Sequence, residues 1–242
     1  MLKQISLLIL CAVAIVLFAT PVHACTSAVV SGKVTLDGRP LLWKNRDTDF
    51  MRNHVDYVKG ERYDFIAVVN SANAYLKEAW MGTNSAGFAL MNTQSYNLVD
   101  VKGDEERGAA NGRVIYRALE VCATVEDFCH FLDTISKPSD IEANFGVIDA
   151  QGGAAMFEVD YYKYVMYDAN NPKDAPYGYI ARTNFSFAGK VNEGAGYVRY
   201  MEADQVLMKA SATGNITRSV TVCWILICVA GGIIVLRHRA GL

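Results

Sequence analysis

The stretch C-T-S-A-V-V-S-G-K-V-T-L-D-G-R-P-L-L-W-K-N-R-D, Cys25 to Asp47, decides how the chain is read. Ser27 to Val34 alternates loosely and is rich in β-branched residues, Asp37-Gly38-Arg39-Pro40 is a turn signal, and Leu41 to Asn45 reads as a second strand. The two strands form a hairpin. Before it stand a basic start at Lys3, an apolar run from Ile5 to Ala19, and small residues at Val22 and Ala24. This is the pattern of a secretory signal peptide over residues 1–24, cut after Ala24. Such a cut makes Cys25 the first residue of the mature chain. Two other readings stand beside it. One is an uncleaved anchor. The other is a lipoprotein acylated at Cys25, which needs a small or apolar residue where His23 stands.

A cysteine in first position carries a thiol and a free α-amine on one residue. The amine titrates at about 7.7–8.0 in model peptides, so it can take the thiol proton near neutral pH. The thiolate can then attack a carbonyl carbon, and the resulting oxyanion needs donors aimed at it. Asn carboxamides donate without adding charge, and a carboxylate can orient the amine.

Outward toward the C-terminus, strands are expected at Phe65–Asn70, Ala79–Met81 and Phe88–Thr93, with a tight turn at Asn84–Gly87. Asp100 to Asn111 reads as a loop. Val114, Ile115, Ala118, Leu119 and Cys122 share one face of a helix over 112–122. Thr124 caps a second helix to about Ser136, before Pro138. Further strands are expected at Phe145–Asp149, Ala154–Val159, Tyr162–Tyr167 and Tyr179–Thr183, and a helix at Glu202–Lys209. Strands, two helices and more strands make an α+β protein built on a layered, largely antiparallel sheet.

Several of these segments together resemble the N-terminal-nucleophile (Ntn) cysteine hydrolases. The nearest groups are the isopenicillin N acyltransferase family and the choloylglycine hydrolases and penicillin V acylases. The residues that carry the resemblance are the Cys25-Thr26 start, Asn45-Arg46-Asp47, and Gly82-Thr83-Asn84-Ser85-Ala86-Gly87 running on to Asn92. Asn144 to Ala150 with Glu158, Arg182-Thr183-Asn184-Phe185 and Tyr197-Val198-Arg199-Tyr200 complete the set. The resemblance implies a four-layer αββα sandwich over residues 25–218 and an enzyme acting on the C–N bond of a linear, small-molecule amide, without cofactor or metal. It implies Cys25 as nucleophile and, through its amine, base, with Asp47 orienting the amine. Asn184 and Asn92 supply oxyanion or substrate contacts, and Arg46 or Arg199 stands at the substrate. Taken alone, Arg199 also fits a solvated charge at a helix start, and Asn92 and Asn184 fit turn residues. The family's arginine nearer the C-terminus has no clear match. An apolar tail stands there instead, which implies a sandwich lacking its last strands.

That tail, Val220 to Leu236 followed by Arg237-His238-Arg239, carries no charge over seventeen residues. This is the short limit for a membrane-spanning helix, and the basic flank suits a cytoplasmic end. Residues 219–242 are therefore read as a candidate membrane anchor, with a buried helix or a disrupted reading frame as alternatives. An exported, extracytoplasmic protein follows from either end, and a catalytically inactive Ntn fold held at the membrane is the competing function. Without residues 1–24 and 219–242 the chain loses Lys3, Arg237 and Arg239 and no acid, which takes the net charge from −2 to −5. That balance gives no reason to expect nucleic acid. Cys122 and Cys129 lie seven apart, a rise of ~10.5 Å on one helix, and read as core thiols rather than a disulfide. The glycosylation patterns at Asn184 and Asn215 read as chance matches.

Overall fold

The computed structural model describes residues 25–216, apart from 49, 51, 73, 101–107 and 215, together with residues 233–236. The expected signal segment, 1–24, and most of the apolar tail lie outside the described residues.

The opening hairpin is present. Strand β1 (Thr26–Val30) pairs antiparallel with β2 (Leu41–Asn45), Ser27 opposite Lys44 and Val29 opposite Leu42. The first strand is shorter than expected, because Gly32–Val34 tightens into a 3-10 turn. There the backbone comes so close that a Cβ on Gly32 would collide with the Gly38 carbonyl oxygen. On its other side β1 pairs with β10 (Tyr179–Arg182), so β1 is a central strand.

The remaining strands form one meander: β3 (Asn53–Val58), β4 (Phe65–Asn70), β5 (Met81–Asn84), β6 (Ala89–Gln94), β7 (Ala143–Ile148), β8 (Ala154–Val159) and β9 (Tyr164–Asp168) lie side by side in chain order. Strand β3 was not expected. It is an exposed edge whose apolar residues Val55 and Tyr57 face solvent, and its hydrogen bonds to β4 hold it. The tight turn before β6 is locked by Asn84, whose Oδ1 accepts from Ala86 N and Phe88 N while its Nδ2 donates to Leu119 O and Cys122 O.

Helix α1 (Asn111–Val121) and helix α2 (Val125–Thr134) cover the outer face of the large sheet. Thr124 and Asp127 form a reciprocal capping box at the start of α2. Phe65, Phe88, Phe128, Phe145 and Phe157 fill that layer. Helix α3 (Tyr197–Ala212) covers the small sheet, against Ala28, Val30, Leu41 and Trp43. Between the sheets lie Val29, Leu42, Met81, Met91, Ile148, Met156 and Ile180. Alternation along β1 and β2 divides the inner residues Val29 and Leu42 from the outer ones. The result is a four-layer αββα sandwich. Cys122 is buried and Cys129 half-buried, both as free thiols.

The tail departs from expectation. Ile233–Leu236, expected as the end of a spanning helix, is strand β11, antiparallel to β2 with Ile234 opposite Lys44. Three β-branched residues in a row suit a strand, and the open edge of β2 offers unpaired backbone groups. Residues 220–232 lie outside the described residues. Among the described residues, no helix is long and apolar enough to cross a membrane.

Candidate active site

Cys25 stands one residue before β1 and is half-buried. Its nitrogen donates to Asn184 Oδ1 at 3.1 Å, its thiol lies 3.7 Å from the backbone carbonyl of Asp47, and its own carbonyl accepts from Arg199 Nη1 at 2.5 Å. Both ends of the residue are therefore held by side chains far away in sequence.

Asn184 follows β10 and is 1% exposed. Its backbone exchanges two hydrogen bonds with Ala195, and its Nδ2 donates to Gln94 O at 2.9 Å, which leaves Oδ1 turned to Cys25. This burial fits the reading of its glycosylation pattern as fortuitous. Phe185, next in sequence, stacks on Tyr197 with ring centroids 4.1 Å apart, tying this segment to the first turn of α3. Arg199 lies in that turn and is no solvated charge. It donates to Cys25 O, to Thr26 Oγ1 at 3.2 Å and to Asn184 Oδ1 at 3.0 Å. Gly196 makes room for it. Its φ is +90°, and a Cβ there would sit 2.5 Å from Arg199 Nη2.

Asp47 is exposed and meets Cys25 through its main chain. The group at the Cys25 nitrogen is the Asn184 carboxamide and not the Asp47 carboxylate. Arg46 is half-buried. Its guanidinium donates to Asn53 Oδ1 at 2.5 Å and Asn70 Oδ1 at 2.8 Å, and stands 5.3 Å from the centroid of Trp80. Burial lowers its pKa to about 10, and the Cys25 charge pulls the other way. Burial likewise lowers that of Arg199, against the charges of Cys25 and Asp47.

Asn92, on β6, is 3% exposed, and its Oδ1 accepts from Lys44 Nζ at 3.1 Å. Sequence reasoning missed this lysine. The signal was available: with Leu42 facing the inter-sheet core, Lys44 occupies an inward position of the same strand. Lys44 is 3% exposed, and its second hydrogen bond goes to Trp80 O at 3.0 Å. Burial, first, lowers its pKa from 10.5 to about 8, with Cys25 raising it and Arg46 lowering it further. The unfolded chain therefore binds this proton more tightly than the folded one. The burial cost, about 3 kcal/mol, is fully present below pH 8 and fades as pH rises toward 10.5. Lys44→Met is accordingly expected to be more stable than wild type at pH 7. The gap should narrow by pH 10, read as urea midpoints at both values.

A layered αββα sandwich with a cysteine leading its central inner strand defines the Ntn-hydrolase class. Residues 35–204 match the family of acyl-coenzyme A:6-aminopenicillanic acid acyl-transferase, and the chain belongs to that family. Acyl transfer and amide hydrolysis are the chemistry of this group. No curated protein matches the chain in sequence.

Two solved structures agree in fold. The N-acylethanolamine-hydrolyzing acid amidase ortholog of Caenorhabditis elegans superposes with a TM-score of 0.53 at 15% identity, over 81% of this chain and 87% of that one. A point variant of conjugated bile acid hydrolase from Clostridium perfringens gives 0.53 at 12% identity, over 84% and 78%. For a second variant of the same hydrolase the TM-score is 0.45 at 16% identity, over 64% of this chain, which spans about half (52%) of that one.

Proposed function

We propose that the chain is an exported amidohydrolase or acyltransferase that opens a linear carbon–nitrogen amide bond through a thioester on Cys25, once Cys25 is the first residue. The observation that carries this reading is the pair of contacts on Cys25: Asn184 Oδ1 at its nitrogen and Arg199 at its carbonyl. A freed α-amine keeps the Asn184 acceptor. That hydrogen bond leaves the nitrogen lone pair to take the thiol proton.

The thiolate attacks the amide carbonyl, a C–S bond forms, and the carbonyl oxygen becomes an oxyanion. Asn92 suits this oxyanion, because Lys44 holds its Oδ1 and the carboxamide N–H groups remain as donors. Collapse breaks the C–N bond, and the leaving amine takes the proton from the α-ammonium of Cys25. Water then cleaves the thioester, its proton passing to the α-amine. An amine in place of water makes the step a transfer. Arg46 and Arg199 flank the reacting residue as substrate contacts, and the backbone carbonyl of Asp47 steers the thiol.

Intact mass of the secreted chain, with tandem sequencing of its N-terminus, tests the premise, and an amide-mimicking electrophile tests the site. An unblocked Cys25 start and an adduct on its sulfur are expected. Residues retained ahead of Cys25, an acylated amine, or an adduct on another side chain overturns the proposal.

A further inference from the structure

We infer that Asn144 is a positioning residue that aims Asn184 at the nitrogen of Cys25. The inference rests on the proposed function in taking the Asn184 contact as part of the reaction. Asn144 is fully buried on β7, in the large sheet, while Asn184 follows β10 of the small one. Its Nδ2 donates to Thr183 O at 3.2 Å and to Phe185 O at 3.1 Å, the two carbonyls on either side of Asn184. Asn184 spends its own backbone N–H and C=O on Ala195. The main chain is therefore held before, at and after residue 184, and the side chain of Asn184 is left to face Cys25.

The sense of the Asn144 carboxamide is fixed from its other end. The Ser186 hydroxyl donates to its Oδ1 at 2.6 Å, and its Nδ2 lies 3.1 Å from Thr93 Oγ1. Ser186 is held in turn, because its N–H donates to Asn97 Oδ1 at 2.8 Å and its Oγ is 2.9 Å from Ser95 Oγ. Thr93, Asn144 and Glu158 stand opposite one another on β6, β7 and β8, which puts them in one row across a face of the sheet. Glu158 accepts from Phe187 N and Ala188 N. The row thus grips residues 183–188 by two carbonyls at one end and two N–H groups at the other. Backbone carbonyls left without donors are costly inside a protein, and no apolar side chain at position 144 could supply those donors. Asn144 acts on Cys25 only through Asn184. A shift of about 1 Å in a group that orients a reacting atom is enough to lower a rate severely, so the grip matters most at residue 184.

The test compares wild type, Asn144→Ala and Leu132→Ala on the full chain, at a temperature where melts show each of them folded. Leu132 is buried in the outer helix layer, so Leu132→Ala lowers stability without touching the row. Backbone hydrogen exchange, read by peptide mass over residues 183–188, should quicken about tenfold in Asn144→Ala and stay at the wild-type rate in Leu132→Ala. On a panel of N-acyl amines, kcat of Asn144→Ala should fall about tenfold with KM within about twofold, because the lost contact serves the base and not substrate binding. Leu132→Ala should keep both constants. Exchange that coincides with wild type overturns the inference, and so does a kcat that is kept while exchange quickens. If Asn144→Ala does not fold, Ser186→Ala decides. It removes the hydroxyl that fixes the carboxamide, and about threefold changes in the same directions are expected. Unchanged values in that variant overturn the inference equally. A folded wild type without turnover refutes the proposed function, and the exchange result then decides this inference alone, so the two fail separately.

Discussion

Cys25→Ala is expected to abolish amide turnover, by ~10³-fold or more, while leaving the fold intact. The two halves of this result have separate causes. Cys25 is anchored through its main chain, by nitrogen to Asn184 and by carbonyl to Arg199, and alanine keeps both contacts. Its sulfur contributes one long contact with Asp47 O at 3.7 Å, so little stability is lost with it. Neither of the other two thiols among the described residues is placed for the chemistry. Cys122 is buried and Cys129 lies on the outer helix layer beside Met166. Cys25→Ser keeps an oxygen nucleophile but exchanges a thiol for a far weaker acid, and it should fall nearly as far. Steady-state rates on a panel of N-acyl amines, with circular dichroism melts of each variant, make the comparison. Turnover that survives in Cys25→Ala places the nucleophile elsewhere. No turnover in wild type, with a folded chain, favours an inactive relic of the fold.

Glu158→Leu is expected to cost about 3–5 kcal/mol of stability, on the order of other broken buried pairs. Glu158 is on β8 of the large sheet and Arg182 on β10 of the small one, so their 2.6 Å contact bridges the two sheets. Both side chains are at most 3% exposed. The carboxylate is fully used: Oε1 also accepts from Phe187 N at 2.9 Å and Oε2 from Ala188 N at 2.7 Å. Arg182 stands 4.0 Å from the centroid of Phe187. Leucine would strand the guanidinium without a counter-charge and orphan two backbone donors. It would also loosen the segment that begins at Asn184, so activity should decline with stability. The double change Glu158→Leu with Arg182→Met should recover a good part of the loss, because no unpaired charge then remains inside. Urea unfolding of the two single variants and the double variant reads this directly. A single variant within about 0.5 kcal/mol of wild type would show that the pair is dispensable.

Much of the fold was legible because local signals agreed with it. The hairpin from Cys25 to Asp47, the Thr124 cap and the strand pair around Gln151-Gly152-Gly153 each carry turn or capping chemistry in a few adjacent residues. Strand β3 was not legible, since an exposed edge needs no apolar period. Helix α3 begins five residues earlier than expected, at Tyr197, because it opens without a side-chain cap on a left-handed Gly196. The apolar run to Leu236 was read as a candidate spanning helix on its hydropathy and basic flank, which do not distinguish a lipid-facing helix from a chain whose end, Ile233–Leu236, fills a sheet edge. In the site, Cys25, Asn184 and Arg199 come together, and Asn92 is joined through Lys44. In the structure Asp47 meets Cys25 through its backbone carbonyl. Spacing along a chain shows that an acid is near, while the direction of its side chain depends on strands remote in sequence.

Cys25 abuts a strand that is paired with β2 from Thr26 onward and with β10 from Ser27 onward. Such a strand has no slack to absorb an error in trimming. A single leftover amino acid would push the new terminus out by about 3.3 Å and leave the sulfur with an amide for a neighbour instead of a base. Such a molecule would fold, melt and elute like its correctly cut counterpart, yet stay silent. Under the proposed function, the fraction of competent molecules in any preparation would then be set by how exactly the chain is cut before Cys25, and counting active centres, not protein mass, would be the proper denominator for its rates.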